Sequence, residues 1–268
     1  MQRRLMNLTG LARLVRRSVR RHSRIRACRP TLLLLCLTAF SLTPADEPEY
    51  SVLMIGNSHS SVGDLPLLLR QLLESRDNSG PARVTALGNW GFLAERISDN
   101  ATQPALMSAP WTHVILQAQK YSTTGRYSYP TDAAEEWIRR TRAIGAQPVL
   151  FPEWARKGHP EEVTRVQTLH QGIAMREPAC VAPVGIAWQM MRKNNPNVEL
   201  YEPDGNHANR SGALLTAYVL FATITGRSPE SLPKHNIRGV SGSQRLMLQA
   251  AAAQAISSTP PCTSSLGG

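Results

Sequence analysis

The sequence lacks an apolar run long enough for an ordinary membrane-spanning helix, which needs about 20 residues. Its longest such stretch, Thr31 to Leu42, has twelve residues. A long internal repeat and a linker-like segment are also missing, which favours one domain over an array of domains. Cysteine is scarce, with four residues in 268, and none has the spacing of a zinc site. These absences favour a single globular domain that does not use a zinc cluster.

Acidic residues are absent from residues 1–45, which contain ten of the 30 lysines and arginines. The rest of the chain has 20 basic and 19 acidic residues, a net charge of +1, whereas the full chain carries +11. A basic surplus by itself suggests a nucleic-acid or membrane-surface partner. Because this surplus lies almost entirely in the first 45 residues, the body is nearly neutral and we expect no nucleic-acid partner.

The first 45 residues have the pattern of a secretory signal peptide: an arginine-rich start, the apolar run, and small residues ending at Ala45. We therefore expect cleavage near Ala45 and export to the periplasm or the extracellular space. The basic part is longer than usual, so a start at Met6 or an uncleaved anchor, which would be the one membrane contact, stays open. A lipoprotein anchored through Cys36 is disfavoured because Leu35 stands where a small residue is required.

Residues 46–258 are predicted to form one α/β domain, and residues 259–268 a flexible tail. The 223 residues that follow Ala45 are enough to bury a sizeable core. They contain only Cys180 and Cys262. In an oxidising compartment these two could pair and tie the tail to the body, but two free cysteines fit the same spacing.

The stretch from Tyr50 to Glu74 predicts a strand, a tight turn and a helix. A short apolar run, Val52 to Ile55, stops at Gly56-Asn57-Ser58. A helical pattern follows, with five leucines on one face: Leu65, Leu68, Leu69, Leu72 and Leu73. In a parallel sheet, such a turn lies at the carboxyl end of a strand, where open α/β sheets bind their ligands.

The rest of the chain alternates between short apolar runs and helical patterns. The runs predict strands at 83–87, 113–116, 147–151 and 180–184. Helices are predicted from about 92, at 131–144, 161–175, 186–193 and 210–225 with Asn209 as its cap, and at 241–256. This alternation predicts an α/β fold with a five-stranded, mostly parallel, doubly wound sheet.

Three strands end in polar or glycine-rich turns that carry Ser58, Gly91 and Gln117, and Asp204 and His207 precede a late helix. On one edge of the sheet, these residues would supply the groups that acyl transfer needs. Ser58 would be the nucleophile, His207 the general base, and Asp204 the group that holds the imidazole. The N–H groups of Ser58 and Gly91 and the amide of Gln117 are the predicted oxyanion donors.

This ordered set of residues resembles the SGNH hydrolase (GDSL-type esterase/lipase) superfamily, over most of the chain after residue 50. The family's nucleophile falls on Ser58, its oxyanion glycine on Gly91, and its acid and base on Asp204 and His207. The resemblance implies a flavodoxin-like three-layer α/β/α fold. It also implies hydrolysis, without a metal or cofactor, of esters of lipids, simple alcohols or acetylated carbohydrates.

The sequence departs from the family pattern in two blocks. The usual Gly-Asp-Ser reads Gly56-Asn57-Ser58, which spares the nucleophile. The usual Gly-x-Asn-Asp reads Leu116-Gln117-Ala118-Gln119, so a longer amide side chain must be placed differently. A subgroup of uncharacterised bacterial proteins resembles this chain in its Leu-Gln step, which favours replacement over loss. Gly91 is preferred to Gly88 because it directly precedes the helical pattern.

We expect an exported bacterial serine esterase that hydrolyses short-chain acyl esters, with acetylated carbohydrate as one candidate, through an acyl-enzyme. The lack of a long hydrophobic lid segment disfavours long-chain lipids. A glycan O-acyltransferase with the same site is one alternative, and a non-catalytic carbohydrate-binding protein, motivated by Gln117, is another. A metal-dependent enzyme is disfavoured because His59, His207 and Asp204 show no recognisable ligand spacing. We interpret His59, whose side chain diverges from that of Ser58, as lining the cleft or facing solvent.

Overall fold

The computed structural model of the protein describes residues 48–75, 80–88 and 91–262. The predicted leader, residues 1–45, lies outside these residues, so its cleavage stays a prediction. Among the described residues, no helix is both long enough and apolar enough to cross a membrane.

Five strands form one sheet in which every neighbouring pair is parallel. They are β1 (Tyr50–Gly56), β2 (Ala82–Gly88), β3 (His113–Gln117), β4 (Gln147–Phe151) and β5 (Cys180–Val181). Their order is β2-β1-β3-β4-β5, which confirms the predicted parallel α/β sheet. β5 is shorter than predicted because Pro183 has no N–H to donate to the sheet and the next helix begins at Val184.

Eight α-helices lie among the described residues. They are α1 (Leu65–Glu74), α2 (Leu93–Arg96), α3 (Thr102–Leu106), α4 (Asp132–Ala143), α5 (Glu161–Arg176), α6 (Val184–Asn194), α7 (Arg210–Thr225) and α8 (Gly242–Ser258). The sequence pattern predicted all of these except α3. Its five residues include Pro104, which is typical of a helix end, and only Leu106 among them is a large apolar residue, so the sequence gave no helical signal.

Helices cover both faces of the sheet, as the alternation of side chains in β1 shows. Val52 and Met54 point into a core built with α1, α6, α7 and α8. Leu53 and Ile55 point into a second core that includes Trp137 of α4. All four β1 side chains are fully buried. This is the three-layer arrangement expected of a doubly wound sheet.

Helix α7 is buried on nearly every side. Its residues 211 to 224 are all buried because α1, α6 and α8 pack around it. Asn209 caps it, as predicted, since its Oδ1 accepts hydrogen bonds from the N–H groups of Ser211 and Gly212. The capped end fixes the segment that comes directly before it, which contains Asp204 and His207.

A disulfide joins Cys180 of β5 to Cys262, across 82 positions of sequence. Beside it, the Val181 N–H donates to the Pro261 carbonyl at 2.6 Å. Residues 259–262 are therefore held against the sheet, which contradicts the prediction that a flexible tail begins at residue 259. Residues 263–268 lie outside the described part of the chain.

Candidate active site

The turn after β1 presents Ser58 at the carboxyl edge of the sheet. The N–H groups around Ser58 are occupied: that of Asn57 by Gln117 Oε1 (2.8 Å), and that of His59 by Asn57 Oδ1 (3.1 Å). The Ser60 N–H donates to the Asn57 carbonyl at 3.0 Å. The Ser58 N–H has no acceptor among the described residues, and its role as an oxyanion donor stays a prediction.

Gly56 is required at the end of β1 because the turn passes very close to β3. A Cβ built on Gly56 would collide with the Ser60 hydroxyl and with the Gln117 side chain. These two groups are themselves bonded, since Ser60 Oγ donates to Gln117 Oε1 at 2.8 Å. Because Gly56 has no side chain, Gln117 can approach the turn that carries Ser58 and hydrogen-bond to it.

The structure brings Ser58, His207 and Asp204 into one hydrogen-bonded chain. Ser58 Oγ lies 2.9 Å from His207 Nε2, and His207 Nδ1 lies 2.5 Å from Asp204 Oδ2. With the proton on Nδ1, the ring donates to Asp204 and Nε2 accepts the serine proton. Ser58 lies in the turn after β1 and the other two in the loop before α7, so 149 residues of sequence separate the serine from the histidine.

Asp204 is held ionised although its side chain is half exposed. Its Oδ2 accepts from His207, and its Oδ1 accepts from the backbone N–H groups of Asn206 and His207, each at 2.9 Å. The His207 bond, followed by these two backbone bonds, lowers the pKa of Asp204 well below its ordinary value. The carboxylate therefore stays charged throughout the range in which a histidine titrates.

Gln117 does not fit its predicted role as an oxyanion donor. Its side chain is fully buried, and its oxygen accepts from the Asn57 N–H and the Ser60 hydroxyl. Its nitrogen donates to Glu153 Oε2 at 2.7 Å. The longer amide of this block therefore connects the turn that carries Ser58 to the loop after β4.

Gly91 lies three residues after β2, with φ of +154°. Its role as an oxyanion donor stays a prediction, because Asn89 and Trp90 lie outside the described residues. The carboxyl ends of β1 and β2 are joined by Arg96, whose side chain is buried. Arg96 Nη2 donates to the carbonyl of Gly56 and, at 2.8 Å, to that of Leu87.

His59 is buried against His207, so of the two predicted positions, lining the cleft or facing solvent, the structure excludes the second. The two rings stack with centroids 5.1 Å apart and planes 28° apart. The His59 ring centroid also lies 5.1 Å from that of Trp154, and Trp154 stacks on Trp188 with centroids 4.3 Å apart. A column of rings therefore leads from the imidazole of the site into the core.

Three residues shape the site in ways that the sequence did not predict: Arg96, Glu153 and His59. Glu153 is a polar residue shortly after a strand, so the rule that selected Ser58 and Gln117 could have selected it too. The packing of His59 had no sequence signal, because Trp154 comes from a distant strand end. Arg96 had none either, because a buried arginine in a short helix looks like a surface residue.

A serine hydroxyl, an imidazole and a carboxylate thus form one chain at the carboxyl edge of a five-stranded parallel sheet. This is the fold and the order of groups that SGNH hydrolases have. No protein-family model matches the sequence, and a comparison with curated protein sequences finds no match either. The relationship to SGNH hydrolases rests instead on similarity to solved structures.

The structure is similar to a provisionally assigned SGNH hydrolase from Slackia heliotrinireducens, with a TM-score of 0.54 and 26% identity. That match covers 64% of this chain and 97% of the other. A DUF4886 family protein from Bacteroides uniformis has a TM-score of 0.65 at 17% identity, over 80% of this chain and 97% of the other. The second similarity concerns the fold alone. Together with the site, the first match supports a relationship to the SGNH hydrolase superfamily, and so to esterase- and lipase-type hydrolases in general.

Proposed function

We propose that the protein is an exported serine esterase that hydrolyses short-chain acyl esters through an acyl-enzyme. The 2.9 Å contact between Ser58 Oγ and His207 Nε2 carries this proposal. A serine hydroxyl hardly ionises at neutral pH, so it needs a base within hydrogen-bond reach. Here the base is in place, and Asp204 holds it in the tautomer that accepts the serine proton.

In the proposed reaction, Ser58 Oγ bonds to the ester carbonyl carbon while its proton passes to His207 Nε2. The carbonyl electron pair moves to the oxygen, and the Ser58 N–H stabilises the resulting oxyanion. When the carbonyl re-forms, the bond to the alcohol breaks and His207 returns its proton to the leaving oxygen. Water then attacks the acyl-enzyme by the same route and releases the acid.

Hydrolysis is favoured over transfer to a glycan by the exposure of the base. The His207 side chain is 28% exposed and that of Asp204 is 48% exposed. A transferase must keep water from its acyl-enzyme, and an open base gives water direct access. Transfer to an added sugar alcohol is therefore expected to be a minor product beside the free acid.

Polar groups near the site favour an alcohol that carries further hydroxyl groups, such as an acetylated sugar. Glu153 Oε2 is bonded to Gln117, but Glu153 Oε1 has no partner among the described residues. Burial, with a smaller effect of the charge on Glu153, raises the pKa of Tyr121, so this phenol remains a donor. An acceptor and a donor are thus available on the loops after β4 and β3 to bind sugar hydroxyls.

The Glu153→Gln variant is expected to lose about 5- to 10-fold in kcat/KM for an acetylated methyl glycoside, because an NH2 group, which only donates, replaces the free carboxylate oxygen that would accept from the sugar. For p-nitrophenyl acetate, whose alcohol has no further hydroxyl, the change is expected to stay within about twofold. The Gln side chain keeps an oxygen for Gln117, and Glu230→Gln, which changes an exposed carboxylate elsewhere, serves as the control. An equal loss on both substrates would show that Glu153 supports the turn and does not select the alcohol.

Export is supported by two independent features. The predicted leader is one, and the Cys180–Cys262 pairing is the other, since disulfides persist in oxidising compartments. A periplasmic or extracellular location would also place the enzyme among ester-bearing envelope carbohydrates. We propose that the partner is a small-molecule or carbohydrate ester.

The proposal is tested by trapping the acyl-enzyme. The protein is reacted with a p-nitrophenyl alkylphosphonate, and the modified peptide is identified by mass spectrometry, alongside steady-state hydrolysis of p-nitrophenyl acetate and butyrate. Stoichiometric labelling of Ser58 with loss of activity is the expected result. Turnover that continues after labelling, or labelling at another residue, would refute the role of Ser58. Absence of both labelling and turnover would favour a non-catalytic carbohydrate-binding protein.

A further inference from the structure

The loop that carries Asp204 and His207 is exposed, yet its imidazole must keep one orientation to serve Ser58. The hydrogen bonds at Nδ1 and Nε2 hold the ring against rotation within its plane. They do not prevent it from tilting out of that plane, because no hydrogen bond among the described residues contacts its faces. Within the loop, the Glu202 N–H donates to the His207 carbonyl at 2.8 Å. This bond holds the backbone and leaves the ring free to tilt, so the ring needs support from outside the loop.

His59 supplies a surface for one face of the His207 ring. The centroids are 5.1 Å apart, and the planes differ by 28°. His59 itself is 7% exposed, so it cannot move aside without breaking contacts. Its Nδ1 lies 3.3 Å from Asn57 Oδ1, which also accepts the His59 backbone N–H. Asn57 thus fixes the His59 ring from the same turn that carries Ser58.

Trp154 contacts both the His59 ring and the backbone next to His207. Its ring packs 5.1 Å from His59, and its Nε1 donates to the Asn206 carbonyl at 2.9 Å. Because Trp154 is 2% exposed and stacks on the buried Trp188, it is anchored in the core. The same tryptophan therefore holds both the backbone next to His207 and the ring that His207 stacks on.

We propose that His59 is a positioning residue, which holds the His207 imidazole at the distance and angle that Ser58 requires. This proposal rests on the proposed esterase function. The property that matters is a flat ring of this size, because the contact with His207 is between ring faces. A phenyl ring should therefore replace the imidazole, whereas a methyl group should not.

The test compares His59→Ala and His59→Phe in the full chain with p-nitrophenyl acetate. His59→Ala is expected to lower kcat by about 10- to 100-fold with KM within about twofold, because a misplaced base slows the chemistry and leaves binding intact. Its rate of inactivation by the phosphonate should fall by a similar factor. His59→Phe is expected to recover both rates to within about threefold of the native protein.

The control is His170→Ala, which removes another buried histidine, in α5. It should lower the melting temperature and leave kcat unchanged, so loss of a buried ring is separated from loss of the stack. The proposal for His59 is overturned if His59→Ala keeps native kcat, or if His59→Phe is as slow as His59→Ala while both melt like the control. If Ser58→Ala also keeps full activity, the esterase function itself is refuted.

Discussion

Replacing Ser58 or His207 with alanine is expected to lower kcat for a short acyl ester by about 10⁴- to 10⁶-fold. Without Ser58 there is no oxygen to form the acyl-enzyme, and without His207 the serine proton has no acceptor at 2.9 Å. Because both residues act in one step, the double variant is expected to be no slower than either single variant. Asp204→Asn should also be slow, by about 10⁴-fold, because an amide favours the wrong imidazole tautomer.

The measurement is steady-state hydrolysis of p-nitrophenyl acetate by each variant, with circular dichroism melts to confirm folding. Ser257→Ala is the control, since it changes an exposed serine in α8, away from the turn that carries Ser58. Losses that multiply in the double variant would mean that Ser58 and His207 act in separate steps. Activity near the native level in either single variant would contradict the mechanism.

The pH dependence of the native enzyme should report on an imidazole and not on Asp204. The hydrogen bond from His207, with two backbone bonds, lowers the pKa of Asp204, so this carboxylate remains ionised as the pH falls through the histidine range. The pH profile of kcat/KM for p-nitrophenyl acetate should therefore show no separate loss at the pH where an ordinary aspartate is protonated. Its contribution to stability is present above the pKa of an unfolded aspartate and is lost only as the pH falls through the lowered folded value.

Replacing Cys262 with serine is expected to lower the free energy of unfolding, and this is the second large effect. The disulfide spans 82 positions, and the chain-entropy relation gives about 4.5 kcal/mol for a loop of this length, with measured values typically about 2–4 kcal/mol. For a domain of this size, a loss of about 3 kcal/mol lowers the melting temperature by roughly 6–12 °C. Cys262 is the better site for substitution, since Cys180 is buried and a serine there would add an unpaired hydroxyl to the core.

The test is thermal and urea unfolding of the native protein and Cys262→Ser, each with and without dithiothreitol. The reductant should lower the stability of the native protein to that of the variant and leave the variant unchanged. Thiol titration should find no free thiol in the unfolded native protein outside the leader and one in the variant. Equal stability of both proteins without reductant would show that the bridge does not form or does not stabilise the fold.

Most of the fold follows from local sequence patterns. Helix α5 begins at Glu161 as predicted, and α7 has the predicted bounds of Arg210 and Thr225, because their periodicity and caps are local. The sequence predicted a mostly parallel sheet but not the order of its strands, because strand order and register depend on contacts between residues that are distant in the sequence. The disulfide was left open for the same reason: spacing does not show that Cys180 and Cys262 are neighbours.

In the candidate site, too, the residues with a local sequence pattern were predicted, and those whose contacts depend on distant parts of the chain were not. Ser58, His207 and Asp204 were found because each stands at a recognisable turn or before a helix, and the structure brings them together. The prediction for Gln117 failed because it assumed that the amide faces the substrate. Its actual partners, Ser60 and Glu153, lie 57 and 36 residues away, and side-chain direction over such distances is decided by packing.

The C-terminal segment that the disulfide holds also covers part of the edge of the sheet at β5. In β5 the Val181 N–H points away from β4, and it is taken up by the Pro261 carbonyl. Pro260 and Pro261 have no N–H of their own, so this segment offers no donor at these positions to a strand from a second molecule. Reduction would uncover a strand edge as well as loosen the fold. The bridge therefore keeps covered a strand edge that could otherwise pair with a strand of a second molecule.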